Sequence, residues 1–368
     1  MKMERIALFM AAAVVVMGTT TIAMGQEISS SNVSAIYVLG DSSVDCGLNS
    51  MFYPFVHRSH SLLPCNGSNS ILPPYLLAEK MGLPYPESFY IQNGSIEALL
   101  SGLNFGAAEA TIMSPNSLSH QSLNIQLRQL FETFQLLELQ LGQEMASRFT
   151  RSSMVYLSFG KDDYISLFLH RFSGVMVNYS SQAFAQILVD QMVRAMRNLY
   201  NMNVRKVVCM GLLPLGCTPS LLSEWHIPTT GRFDDVVTGC VEVINQLVLE
   251  YNTMLEQQIV ILNQELLDAQ IVFCDVYHGL RKIITYPNFF GFKEAKSACC
   301  GLGLYDGVIG CLSSDMACNN VSAHVWWDLY NPTPQVNSLL ADSMWSGEDL
   351  LSDICRPTTL HHLFYNPV

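Results

Sequence analysis

The chain has 368 residues, 49% of them hydrophobic and only 14% charged, with a formal net charge of -12. Typical soluble domains carry roughly 25% charged residues, so this one has ample material for a core and little of the composition of a disordered chain. No run of lysine or arginine offsets the negative charge, which excludes nucleic acid and anionic membrane surfaces as natural partners.

The first element is a leader. Lys2 and Arg5 precede an apolar segment from Ile6 to about Val16, and Ala23-Met24-Gly25 reads as a small-x-small cleavage site. A membrane anchor is the competing reading, but the apolar core falls short of the ~20 residues that a span needs. Residues 1–25 are therefore expected to be a signal peptide, and 26–368 one domain. Five Asn-x-Ser sequons, at Asn32, Asn66, Asn93, Asn178 and Asn320, and eleven cysteines agree with secretion to an extracellular or cell-wall location.

Short apolar runs then alternate with amphipathic stretches. The runs are Ile36–Leu39, Leu103–Phe105, Met154–Phe159, Val207–Met210 and Ile271–Cys274. Being almost wholly apolar, most read as strands buried on both faces of a parallel sheet. The first run ends in Gly40-Asp41-Ser42, which places a hydroxyl at the carboxyl end of a strand. That tripeptide also makes ordinary turns and caps helices, and Val44 stands where a G-x-S-x-G elbow would need glycine.

Between the runs the period is helical. In 236–262, Val237, Val241, Ile244, Val248, Tyr251, Leu255, Ile259 and Leu262 form one stripe. The segments 123–148 and 183–200 behave similarly, and a last helix is expected from near Pro332 to about Trp345. Pro332 would suit a first-turn position. The tail 347–368 reads as a loop, with Cys355 pinning it. Five buried strands with helices between them predict a three-layer α/β/α sandwich around a mostly parallel, doubly wound sheet.

The cysteines divide by context. Cys299, Cys300, Cys311 and Cys318 cluster within "ACCGLGLYDGVIGCLSSDMAC". No CxxC pair or interleaved histidine is present, which favours disulfides over a zinc site. Cys217 and Cys240 can close a second loop. Cys209 and Cys274 lie in strand-like runs and read as buried free thiols.

"IYVLGDSSVDCG" resembles the first block of the GDSL (SGNH) family of lipases and esterases, especially its plant branch. Further blocks follow in the family's order: "GLNFGAAEATI" from Gly102, "LSFGKDDYI" from Leu157, "VCMGLLPLGCTP" from Val208, "CVEVINQLVLEYN" from Cys240, "VFCDVY" from Val272 and "WWDLYNPTPQVN" from Trp326. The resemblance spans about residues 33–357. It implies the same sandwich, hydrolysis of acyl or lipid esters, and no metal or organic cofactor. It also implies a small-molecule ester as partner, and a protein not integral to a membrane.

Within that resemblance Ser42 is the nucleophile and Asp328 the orienting carboxylate. Three positions depart from the family. Asn331 stands where the catalytic histidine belongs, Asp162 where an oxyanion asparagine belongs, and Glu109 where an oxyanion glycine belongs. Asparagine has no basic site near neutral pH, and an ionised Asp162 is acceptor-only and anionic. Loss of a triad base costs ~10⁴ to 10⁶ in rate. Activity is accordingly expected to be weak or lost, the alternative being a non-catalytic ester- or lipid-binding protein. Among the histidines, His324, four residues before Asp328, is the replacement base to consider, ahead of His120.

Overall fold

In the computed structural model of the chain, the described residues are 33–46, 72–113, 121–170, 173–225, 239–347, 351 and 353–365. The expected leader lies outside them, as do Asn32, Asn66, Val237, His57, His60, His120 and His226.

The centre is a seven-stranded sheet. Its strands are β1 (Ile36–Gly40), β2 (Glu87–Ser88), β3 (Leu103–Asn104), β4 (Met154–Ser158), β5 (Lys206–Met210), β6 (Gln270–Cys274) and β9 (Cys355–Arg356). The order is β2-β3-β1-β4-β5-β6-β9. All pairs are parallel except β6 with β9. The five expected strands form the interior of the sheet, and two-residue strands, too short to show a pattern, extend its edges.

Strand geometry explains why these runs are apolar throughout. Successive side chains point to opposite faces. Tyr37, Leu39, Val155, Leu157, Val207, Cys209, Ile271 and Phe273 enter one core, while Ile36, Val38, Met154, Tyr156, Val208, Met210, Val272 and Cys274 enter the other. A helical layer covers each face. The first core receives α2 (Leu123–Leu141), α3 (Gln143–Ser152), α4 (Ser181–Asn201) and α5 (Glu242–Glu265). The second receives α1 (Pro73–Met81), α6 (Val276–Thr285), α7 (Pro334–Ser346) and α8 (Leu360–Tyr365). The α5 stripe buries Ile244, Val248, Tyr251, Leu255, Ile259 and Leu262, the residues that its period selects. A smaller parallel pair, β7 (Glu294–Ala298) with β8 (His324–Trp326), lies apart from the main sheet.

Four expectations need correction. The amphipathic stretch 123–148 is two helices, because Gly142 adopts φ 80, outside helical space. The last long helix begins at Pro334, with Pro332 instead in a bridge to Trp326. The tail is not merely a loop: it forms β9 and α8, and Leu360, Leu363 and Phe364 bury one helical face. Cys274 is not a free thiol. It is bonded to Cys355, its direct partner across the β6–β9 register, so the tail's cysteine is what a local reading of the strand could not supply.

The remaining pairings are Cys217–Cys240, Cys299–Cys318 and Cys300–Cys311, with Cys46 also in a disulfide and Cys209 free and buried. Cys299, Cys318 and His324 bring potential metal-ligand atoms within 4.8 Å of one another. Those two sulfurs are bonded to each other, so neither is a thiolate, and the disulfide reading holds over zinc.

Candidate active site

The strand order creates the site. The chain leaves β1 toward β3, then crosses back to β4 on the other side of β1. Such a switch point opens a crevice at the carboxyl ends of the strands. The segments following β1, β4, β5 and β6 line a cavity of about 550 Å³ there, closed by Trp327–Pro332 from the last block. Leu212, Leu213, Leu280, Leu312, Leu329 and Leu340 give it an apolar wall. Ser42, Glu109, Lys161, Asp328 and Asn331 bring its chemistry.

The β1 end is held rigidly. Gln126 of α2 donates to the Gly40 carbonyl and accepts from the Gly40 amide, both at 2.9 Å. Asp41 is fully buried and anchors the turn. Its Oδ1 accepts from the Ser43 amide at 2.9 Å and the Ser43 hydroxyl at 2.6 Å, and its Oδ2 accepts from the Lys161 amide at 2.9 Å. Asn104 of β3 donates to the Val44 carbonyl at 2.8 Å, steadying the chain beyond Ser42.

Ser42 faces the end of β4. Its hydroxyl donates to Asp162 Oδ1 at 2.6 Å, and its amide donates to Oδ2 at 3.0 Å. Burial, then the negative charge of Asp41, push the Asp162 carboxyl up to about 7; Lys161 and the Ser42 hydrogen bonds oppose the shift. A π-helical turn, Asp163–Phe168, follows at once, a feature frequent at functional sites.

Asp328 and Asn331 form the opposite rim. Asp328 Oδ1 accepts from the amides of Tyr330 and Asn331 at 3.0 and 2.8 Å, and Oδ2 accepts from Asn331 Nδ2 at 3.0 Å. Asn331 Oδ1 in turn accepts from Lys161 Nζ at 2.7 Å. Hydrogen bonds thus link Asp328, Asn331 and Lys161 in one chain along this rim. Lys161 is 2% exposed and was not singled out from the sequence. The available signal was its position between the end of a buried strand and Asp162.

The other candidates fall as follows. Glu109 lines the cavity with φ 60, the left-handed region in which glycine is most at ease. His324 sits in β8, with Nδ1 3.1 Å from the Asn320 carbonyl oxygen and 3.5 Å from Cys318 Sγ. No histidine among the described residues lines the cavity.

Asp163 supports the floor from behind. It is wholly buried and accepts from the Ile112 and Met113 amides at 2.8 and 3.2 Å, yet burial pushes it up to about 8. A folded-state pKa above the usual carboxylate range favours the protonated native form. Its contribution is full in acid, below about pH 4, and is lost as pH rises toward 8. Relative to Asp163→Asn, which does not titrate, the wild-type unfolding free energy is expected to fall between pH 5 and 8. The slope is at most about 1.4 kcal/mol per pH unit. Urea unfolding of both proteins at the two pH values checks this; a difference that grows in the wild type's favour with pH contradicts it.

A strand-end serine and an Asp-x-x-Asn corner at the switch point of an α/β/α sandwich define the class as a serine-hydrolase-type α/β fold. The sequence profile described as GDSL-like Lipase/Acylhydrolase matches residues 36–344, and the chain belongs to that family of carboxylic ester hydrolases. GDSL esterase/lipase At1g71250 of Arabidopsis thaliana is 30% identical over 328 residues, 86% of this chain and 85% of the relative. GDSL esterase/lipase At5g37690 of the same plant is 26% identical over 341 residues, 89% and 92% of the two chains. GDSL esterase/lipase 7, also from Arabidopsis thaliana, is 28% identical over 330 residues, 85% and 87%.

Proposed function

We propose that this chain is a secreted hydrolase of acyl or lipid esters whose turnover lies far below that of a relative with an intact triad. One observation carries the reading: Asp328 reaches the amide of Asn331 where a triad needs an imidazole, and Lys161 holds the far side of that amide. The apolar cavity suits an acyl group, and Ser42 is the one strand-end hydroxyl beside it with the family's placement. Secretion is supported by the leader-like N-terminus, by the disulfides, and by the exposure of Asn93, Asn178 and Asn320 in their sequons.

Hydrolysis of p-nitrophenyl butyrate tests this reading. Slow turnover is expected, roughly 10⁴-fold or more below an intact triad, and Ser42→Ala removes it. Equal rates in wild type and Ser42→Ala would sink the esterase reading. A second reading, a non-catalytic ester- or lipid-binding protein, draws on one feature: the Ser42 amide, the donor an oxyanion needs, is occupied by Asp162. Saturable quenching of tryptophan fluorescence by a long-chain ester, without Ser42-dependent turnover, would favour it.

A further inference from the structure

We infer that Asp162 is the group that takes the proton of the Ser42 hydroxyl, so that the chain's ester hydrolysis runs through a serine–aspartate pair and bypasses the Asp328–Asn331 corner. This rests on the esterase reading above and names the base that reading lacks. The contact is direct. Asp162 Oδ1 lies 2.6 Å from Ser42 Oγ, within the distance a general base requires, and the Ser42 amide on Oδ2 fixes the carboxylate's orientation. Asn331 offers no basic atom, and its amide is already committed to Asp328 and Lys161.

The surroundings make this carboxylate a better base than a solvated one. Asp162 is 6% exposed. The charged and titratable groups that face it are Asp41 after β1, Lys161 and Asp163 on its own segment, and Tyr330 from the last block. Burial and Asp41 raise its proton affinity toward the working range of a general base, and the Lys161 ammonium opposes that rise.

The proton balance closes at every step. Ser42 Oγ bonds to the ester carbonyl carbon as its proton passes to Asp162 Oδ1, and the carbonyl π pair moves to oxygen. Negative charge leaves Asp162 as it develops on the substrate, so the like-charge clash expected of an aspartate here is relieved in the same step. Collapse breaks the ester C–O bond, and the departing alkoxide takes the proton from Asp162. Water then attacks the acyl-serine with its proton going to Asp162, and Ser42 leaves with that proton as the acid is released. The sum is ester plus water to acid plus alcohol.

The test reads Ser42 itself. A fluorophosphonate probe labels an activated serine, and peptide mass mapping locates the adduct and its rate. Wild type is expected to label at Ser42, at a rate that rises through about pH 7 as Asp162 ionises. Asp162→Asn, sterically equivalent, is expected to slow labelling about 10²-fold or more. Asp162→Ala with added formate is expected to regain part of the rate. His324→Ala is expected to change it less than about twofold, because that imidazole sits in β8 against the Asn320 carbonyl and does not line the cavity. Labelling by Asp162→Asn as fast as wild type overturns the inference alone. Loss of labelling in His324→Ala does the same, since it would make that imidazole the base. A wild type that does not label at all overturns both the inference and the esterase reading.

Discussion

Asn331→His alone is expected to raise ester turnover less than about tenfold, whereas Asn331→His combined with Lys161→Ala and Asp162→Asn is expected to raise it about 10³-fold or more, a sizeable part of what a triad base contributes. The obstacle is Lys161. Its ammonium donates to Asn331 Oδ1, and an imidazole in that place would meet the same donor. The nitrogen lone pair needed for Ser42 would be occupied, and the neighbouring cation would disfavour the imidazolium that must form. Removing the lysine side chain leaves its backbone amide on Asp41, so the turn under Ser42 keeps its anchor. Asp328 Oδ2, now bonded to Asn331 Nδ2, is placed to receive an imidazole N–H instead.

Asp162→Asn then has opposite signs in two backgrounds. In the wild type it removes the base; beside a working histidine it removes a like charge and adds a donor at the oxyanion. Such reversal is expected where residues act on one transition state. The measurement is kcat/KM on p-nitrophenyl butyrate for each single and combined variant, with Ser42→Ala in the triple variant as control. A full recovery from Asn331→His alone would show that Lys161 is no obstacle.

The largest single loss of stability is expected from Cys274→Ser or Cys355→Ser. Their disulfide closes a loop of sequence separation 81, and in the chain-entropy account a loop of that length is worth about 4.5 kcal/mol. Cys300–Cys311, with separation 11, is worth about 2.8 kcal/mol on the same basis. The longer link also anchors β9 on β6, where the Asp275 amide donates to the Ile354 carbonyl at 2.6 Å. Urea unfolding of both variants gives the order directly. A greater loss from opening the short loop would contradict the entropic ranking.

The sheet was legible because its five inner strands bury both faces, which leaves a mark in the residues themselves: Ile36–Leu39 and Val207–Met210 contain almost nothing polar. Two-residue β2 and β9 leave no such mark, since each exists only through its neighbour. Helix breaks were less legible. Gly142 interrupts a continuing apolar stripe by backbone conformation alone, and the choice of Pro334 over Pro332 follows from the bridge that engages Trp326.

At the site, the sequence located Ser42, Asp328, Asn331, Asp162 and Glu109 through ordered blocks, and the fold gathers Ser42, Glu109, Asp328 and Asn331 around one cavity. Lys161 escaped notice because a lone lysine reads as solvated. Its burial is imposed by a last block 170 residues away in the chain, to which it donates. The role of Asp162 also needed three dimensions. Its charge argues against an oxyanion, but only the 2.6 Å contact reveals a base.

Gln126 clamps both backbone groups of Gly40, sharing the carbonyl with the Ala107 amide at 3.2 Å, and so behaves as a one-residue strand supplied by a helix just past the end of β3. The Gly40 amide can then exchange with solvent deuterium only after the Gln126 side chain releases it. That makes one backbone proton a timekeeper for the clamp. Its exchange rate counts how often Gln126 loosens its hold on the serine turn, and anything that moves α2 outward slackens the peptide two residues before the nucleophile.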